Sequence, residues 1–370
     1  MRFLMIGGFL GAGKTTTLAR LARHYVAAGQ KVALVTNDQA YGLVDTQSLR
    51  SQGFDVGEVP GACFCCKFTD LIDTVAELSA EHRPDIILAE PVGSCTDLVS
   101  TVLRPLANLY GDDYELAPLA VLCKPEHGER ILEEGHTGFS PQAAYLFLKQ
   151  LEEAELIVLN KIDKLDAPKR EKLLQLLSQR FPEKPIVSLS AKEGHGFEDF
   201  LGHLEGTSSL DRPAMEIDYD IYAEGEAELG WLNATVKVTG KESNASPWPL
   251  DGFVAALVET LAMDFSRVEL EPGHVKVLGS SLTEEGNLVN AVANWVALGE
   301  AVELSVASNS NVEEADILIN ARIASDPTAI ADTVASAIER VAKSSNLARE
   351  LISLQHFSPA RPEPTHRMTS

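Results

Sequence analysis

The sequence predicts an α/β domain, a mostly parallel sheet flanked by helices, followed by a smaller α+β domain. Short apolar runs alternate with longer amphipathic stretches as far as Glu205, the pattern of strand–helix crossovers. Several of those runs are continuously apolar, as strands covered on both faces require. Past Glu205 the rhythm changes to alternating strands and two amphipathic helices. At roughly 100–200 residues per domain, 370 residues suit two domains, and 45% hydrophobic with 23% charged residues is the composition of chains that bury a core.

In chain order, strands are expected at residues 2–6, 31–36, 85–89, 119–122, 156–160 and 185–188, each a short run of apolar residues. Helices are expected between them at residues 14–28, 68–82, 141–154 and 168–180. Gly206-Thr207-Ser208-Ser209 and Asp211-Arg212-Pro213 read as a linker by composition. Further strands follow at 229–238, 273–278, 301–307 and 315–324, with helices at 250–263 and 327–343: one sheet with two helices on one face, its core filled by Trp231, Trp248 and Trp295. Pro359, Pro362 and Pro364 mark a mobile tail. The expected layout is a first domain over 1–206, a linker over 207–214, a second domain over 215–345 and a tail over 346–370.

Charge and cysteine usage exclude several classes of function. Thirty-one basic against 54 acidic residues give a formal charge of −23, which argues against a broad basic patch for nucleic acid or an anionic membrane. Seven acidic residues and one basic residue lie between Asp211 and Glu228, read as a solvated edge before a strand. No run of about 18 apolar residues exists to span a membrane. Residues 3–6 briefly imitate a signal peptide, but they lead directly into Gly-Lys-Thr-Thr, so a leader is not expected. Five cysteines, three of them within four residues, point to a reducing, cytoplasmic compartment with metal or redox chemistry.

Three stretches carry chemistry. Gly8-Phe9-Leu10-Gly11-Ala12-Gly13-Lys14-Thr15 fits G-x-x-x-x-G-K-[ST] between an expected strand and helix, a phosphate-binding loop. Its glycines let backbone N–H groups turn toward phosphate oxygens, and the following helix adds its positive end at Lys14, Thr15 and Thr16. Lys14 is expected to reach the terminal phosphates and the Thr15 hydroxyl to ligate Mg²⁺. Asn160-Lys161-Ile162-Asp163 follows an apolar strand. The Asp163 carboxylate can accept from the N1–H and exocyclic amine of guanine, which adenine does not offer in that arrangement, so GTP is favoured over ATP. Asn160 and the Lys161 stem would flank the base, with Ser190-Ala191-Lys192 supplying a backbone donor to the guanine oxygen. Cys63-Phe64-Cys65-Cys66 stands before a helix N-terminus, which favours thiolate. Three thiolates suit Zn²⁺, Co²⁺ or another thiophilic ion, while a redox switch is the serious rival; Asp38, Cys95, His127 and His136 are candidates for a fourth ligand.

Together these residues resemble the CobW-type subgroup of P-loop GTPases, relatives of the nickel-insertion GTPases HypB and UreG. The resemblance rests on Gly7 to Thr16, Cys63 to Cys66, Glu90-Pro91-Val92-Gly93 and Asn160 to Asp163, in that order over residues 1–205. It implies a P-loop NTPase fold and a slow Mg²⁺-dependent GTPase cycling between GTP and GDP. Glu90 would lie at the Mg²⁺ and γ-phosphate, and a first switch would run from Asn37-Asp38 to Asp45, with Lys14, Thr15, Glu90 and Asp38 serving the phosphate chemistry. It also implies a metallochaperone carrying Zn²⁺ or Co²⁺ on the cysteines to a client metalloprotein or corrinoid-pathway protein, and a nucleotide-dependent homodimer. The alternative is a regulatory GTPase that docks on and activates a metalloenzyme, its cysteines structural or redox-sensing. The sequence departs from the family's pattern at Cys123-Lys124-Pro125, which replaces an aspartate-containing strand end, and in the second domain around residues 218–231.

Overall fold

The computed structural model describes residues 1–39, 43–133, 140–242, 246–283 and 286–369. The chain forms two compact units, one of Met1–Gln39, Phe54–Gly225 and Arg361–Ser370, the other of Ala40–Gly53 and Glu226–Ala360.

The strands of the first unit are β1 (Arg2–Gly8), β2 (Val32–Asp38), β3 (Asp55–Pro60), β4 (Ile86–Glu90), β5 (Glu115–Leu116), β6 (Ala120–Cys123), β7 (Leu156–Leu159) and β8 (Ile186–Ser188). Their order is β3-β2-β4-β1-β6-β7-β8, with β5 beside β1, and every pairing is parallel. Phe3 to Ile6, Val32 to Val35, Ile86 to Ala89 and Leu156 to Leu159 are all buried, as their unbroken apolar runs require. The edge strand β3 was not expected; its polar residues and terminal Pro60 suit an edge that needs no second partner.

The helices are α1 (Lys14–Ala27), α2 (Val44–Arg50), α3 (Phe68–His82), α4 (Arg104–Tyr110), α5 (Pro125–Leu132), α6 (Pro141–Glu153), α7 (Ala167–Arg180), α8 (Phe197–Leu204), α9 (Tyr219–Ala227), α10 (Leu250–Arg267) and α11 (Pro327–Ser344). Ser140 and Asp166 cap α6 and α7 by accepting from Ala143 N–H and Lys169 N–H, each with proline in the first turn. Because the sheet is parallel, its carboxyl ends gather the ends of β1, β2, β4, β7 and β8, where ligands bind in such sheets.

The second unit holds β9 (Gly230–Gly240), β10 (Trp248–Pro249), β11 (Pro272–Leu282), β12 (Leu288–Trp295), β13 (Glu303–Val306), β14 (Asn311–Val312), β15 (Glu314–Ile323) and β16 (Leu347–Phe357). Six form an antiparallel sheet, β13-β12-β11-β15-β9-β16. Leu232, Ala234, Val236 and Val238 of β9 alternate into one core with Phe253, Leu257, Leu261 and Ile338 of α10 and α11. A smaller cluster joins Val44 of α2 to Leu278 and Val292.

Three expectations about organisation change. Residues 40–53, read as part of the first domain, belong to the second unit. Val44 N–H donates to Asn320 Oδ1 at 2.8 Å, and Lys276 Nζ holds the Asp45 carboxylate at 2.5–2.6 Å. The stretch read as a linker lies in the first unit, tied by Ser208 N–H to Leu116 O and by Ser209 N–H to Glu155. Its small and turn-forming residues leave the backbone free to make those bonds. Residues 347–357, read as tail, are β16, paired with β9 from Trp231 to Gly240; their mixed apolar and polar sequence is that of an exposed edge strand.

Candidate nucleotide and thiol sites

The phosphate loop runs from the end of β1 into α1. Gly8, Gly11 and Gly13 have φ of 134°, 72° and 95°, a conformation that L side chains rarely adopt. A Cβ on Gly13 would lie 2.5 Å from Asn160 Nδ2, so glycine is also required sterically. Lys14 is buried, and its Nζ donates to Gly8 O at 2.9 Å across the loop. Thr15 Oγ1 donates to Glu90 Oε1 at 3.1 Å, bringing a hydroxyl and a carboxylate together at the loop's mouth. Ala12 is buried, and Thr16 points outward from the first turn of α1.

The base-reading residues converge on the same loop. Asn160 Nδ2 donates to Ala12 O at 2.8 Å, and its Oδ1 accepts from Ala191 N–H at 3.0 Å. Ser190 Oγ donates to Asp163 Oδ1 at 2.6 Å and accepts from Glu193 N–H at 3.0 Å. Asp163 is exposed and thus held, not sequestered. Lys161 sits at φ 61° beside Gly13. Arg20 on α1 clamps the 190–192 loop by donating to Ala191 O and Lys192 O, both at 2.5 Å. Arg20 had no sequence signal beyond its place on the helix after the loop.

The thiols sit on the loop between β3 and α3. Cys63 Sγ lies 3.0 Å from Cys65 Sγ and 3.2 Å from Cys66 Sγ, with 3.7 Å between the latter two. All three, like Cys95 and Cys123, are free thiols. A turn folds the loop, with Cys66 N–H and Lys67 N–H both donating to Cys63 O. Asn37, at the end of β2, braces it. Its Nδ2 donates to Val59 O and Ala62 O at 2.7 Å, and its Oδ1 accepts from Phe64 N–H at 2.8 Å.

The expected helix-end lowering of all three thiols is not what the geometry gives. Hydrogen bonds from Cys65, Cys66 and Cys95 hold Cys63 well below the usual thiol range. Hydrogen bonding to Cys63, then burial and the charge gathered there, push Cys65 up and Cys66 up to about 12. The three thiols are therefore unequal, Cys63 being the one most disposed to ionise, and a divalent soft cation would displace the protons that remain.

The other candidate ligands are distributed. Among the described residues, the ligand atoms brought together within 4.8 Å are the three thiols alone. Cys95 reaches Cys63 by hydrogen bond. His127 is fully buried against Phe9, ring centroids 5.4 Å apart, and burial with the nearby Lys124, Lys161 and Arg130 holds its imidazole well below the usual range. Asp38 ends β2 opposite Pro60. His136 lies outside the described residues, as do positions 40–42 of the expected first switch.

No helix is long and apolar enough to cross a membrane among the described residues. Residues 2–188 match the family described as CobW/HypB/UreG, nucleotide-binding domain. The chain is 30% identical over 269 residues to the zinc chaperone CobW of Sinorhizobium sp, covering 61% of this chain and 72% of that one. It is 29% identical over 177 residues to the zinc chaperone YeiR of Escherichia coli strain K12, covering 46% of this chain and 49% of that one. The matches thus span almost three quarters of one relative and about half of the other. Among solved structures, nickel-bound HypB from Helicobacter pylori gives a TM-score of 0.40 at 21% identity, covering 55% of this chain and 85% of that one. Zn(II)-bound YjiA GTPase from E. coli gives 0.34 at 14%, covering 91% and 98%. With the phosphate loop, the base-reading loop and a family match across half of its length, the chain belongs to the CobW/HypB/UreG family, and its first unit carries that family's P-loop GTPase domain.

Proposed function

We propose that the protein is a Mg²⁺-dependent GTPase that loads zinc, or cobalt, on Cys63, Cys65 and Cys66 and passes it to a client metalloprotein or corrinoid-pathway protein. The observation that carries this reading is the three-thiol cluster, braced by Asn37 at the end of β2, the strand paired with the one that ends in Glu90. Soft sulfur donors and tetrahedral preference suit Zn²⁺ or Co²⁺. Two similar proteins bear the name zinc chaperone, which favours zinc.

In the nucleotide site, the backbone N–H groups of Gly11 to Thr15 would cradle the phosphates. Lys14 would exchange Gly8 O for phosphate oxygen. Asp163, oriented by Ser190, would select guanine, and the Ala191 loop, held by Arg20, would face the base. The hard oxygens of Thr15 and Glu90, 3.1 Å apart, fit Mg²⁺, which when bound supplies neutralisation of the phosphate charge.

The same sheet links the two sites. Thr36 of β2 pairs with Glu90 of β4, and the next residue, Asn37, holds the thiol loop. A change at Glu90 as the γ-phosphate leaves would be felt at the thiols through that one side chain, and GTP and metal affinities would be reciprocally coupled. The deciding measurement is an anaerobic titration of reduced protein with Zn²⁺ and Co²⁺, once with Mg²⁺ and a non-hydrolysable GTP analogue and once with Mg²⁺–GDP. The expected result is a Co²⁺–thiolate charge-transfer band, lost in Cys65→Ser, with an affinity that differs between nucleotides. Absence of a tight site, or an affinity indifferent to nucleotide, would leave the docking GTPase as the better account. Light scattering in both nucleotide states tests the homodimer; equal monomer masses would dismiss it.

A further inference from the structure

The last residues of the chain lie across the thiols. Cys63 and Cys65 are buried, and the partly open side of the cluster is Cys66. Glu363 N–H donates to Cys66 Sγ at 3.3 Å. Thr365 N–H donates to Cys65 O at 2.8 Å, and its hydroxyl donates to Cys66 O at 3.0 Å. The ring of His366 stands edge-on to Phe68, centroids 5.1 Å apart. Met368 N–H donates to Ser100 O at 2.8 Å, and Arg104 Nη1 donates to Met368 O at 3.0 Å.

One ion pair fastens this segment. Arg367 Nε donates to Asp97 Oδ2 at 2.7 Å, and Arg367 Nη2 to Met215 O at 3.0 Å. Asp97 is 1% exposed and also accepts from Tyr219 OH at 2.8 Å, so a partly solvated guanidinium meets a buried carboxylate through a charge-assisted bond. Residues 363, 365 and 368 are held through their backbone, the manner in which proteins bind extended peptides. Three prolines in residues 359–364 lower the entropy lost on docking. A segment expected to move freely is instead seated as a ligand of its own chain.

We propose that residues 361–368 form a tethered strap over the thiol cluster, latched by Arg367 on Asp97, and that reagents and metal reach or leave the thiols when the strap lifts. The metal half of this inference rests on the carrier reading above; the coverage of Cys66 does not. Closed, the strap places Glu363 N–H against Cys66 sulfur, a contact suited to a metal-bound thiolate, and shields the open side from competing thiols.

The test compares the reduced 370-residue chain, its Arg367→Ala variant and a chain lacking residues 361–370, all anaerobic. The first readout is the rate at which a bulky maleimide labels Cys66, mapped by peptide mass, with the fully buried Cys123 as internal reporter of unfolding. Labelling of Cys66 is expected to rise by about tenfold in Arg367→Ala, the order expected on losing a charge-assisted hydrogen bond, and further in the shortened chain, with Cys123 unchanged. A synthetic peptide of residues 361–369, added to the shortened chain above the ~1 mM effective concentration of a short tether, should slow it again. Unchanged Cys66 labelling, or Cys66 and Cys123 rising together, would overturn the strap. The second readout is the rate of zinc transfer to a chromogenic chelator, expected to rise in the same order. Equal transfer rates would refute a role in metal exchange. If zinc binds none of the three proteins, the carrier reading fails while the labelling still decides whether the thiols are capped.

Discussion

The loop after β1 and the loop after β3 are both short, both turn on glycine at positive φ and both run into a helix, yet one is made of backbone donors and the other of sulfur. The phosphate loop keeps its own parts in place. Lys14 rests on Gly8 O, and Asn160 ties Ala12 O to the 190–192 loop. Its positive groups are already aimed at one spot, so an anion completes it with little rearrangement. The thiol loop has its backbone fixed by Asn37, but its sulfurs are unequal: Cys63 is disposed to ionise, and its neighbours hold their protons more tightly. A cation completes it, and binding must release protons. Pre-organisation of backbone donors suits a ligand that is turned over; a protonated soft site suits a cargo that is taken up and let go.

This contrast can be broken one loop at a time. Lys14→Ala should lower kcat/KM for GTP by about 10²–10³-fold, the effect of removing one pre-aimed cation or donor from developing charge, and leave the Co²⁺–thiolate band in place. Cys63→Ser should do the reverse. Without one of the three sulfur ligands, metal affinity should fall by about 10²-fold, one ligand's share of a typical thiolate site, with GTP turnover retained. Cys123→Ser is the matched control, because burial pushes that thiol up to about 12 and it takes no part in either loop. Parallel loss of both activities in either variant would mean that the two loops are not separable.

Asn37→Ala sharpens the comparison by cutting what joins them. It deletes hydrogen bonds to Val59, Ala62 and Phe64, for a stability loss of about 1–3 kcal/mol in urea unfolding. Metal and nucleotide should each still bind. The ratio of metal affinities in the GTP-analogue and GDP states, typically 5–150-fold in coupled sites, should fall toward one. A variant that keeps the full ratio would show that coupling travels elsewhere.

What could be read from the sequence divides along the same line. The phosphate loop, the base-reading loop and the cysteines are contiguous spellings, and unbroken apolar runs such as residues 86–89 mark strands buried on both faces. The single side chains that assemble them are not spelled locally. Asn37 and Arg20 look like any polar residue at a strand end or on a helix, and only the fold shows what they hold. Residues 40–53 look continuous with the first sheet because their amphipathicity does not say which core they join; Val44 settles on the second. Prolines at 359, 362 and 364 signal an extended chain, and extended reads as free until Asp97 is seen beneath Arg367.

A pH-dependent effect lies beside that latch. Glu153, the last residue of α6, is buried; its oxygens accept from Thr96 Oγ1 and Val99 N–H, each at 3.2 Å. Burial first, and then the neighbouring Asp97 charge, push its carboxyl up to about 8, against the opposing pull of Arg212. An unfolded glutamate titrates near ~4.3. Between those values the native state holds a proton that the unfolded state has lost, so this group's contribution is complete below the unfolded pKa and is lost as pH rises through about 8. Glu153→Gln keeps the shape without the titration. Unfolding free energies from urea titrations across this window should fall with pH for the native protein by up to ~1.4 kcal/mol per unit relative to the variant, and the variant should be the more stable of the two at the alkaline end. Parallel pH profiles would show that Glu153 ionises freely in the native state.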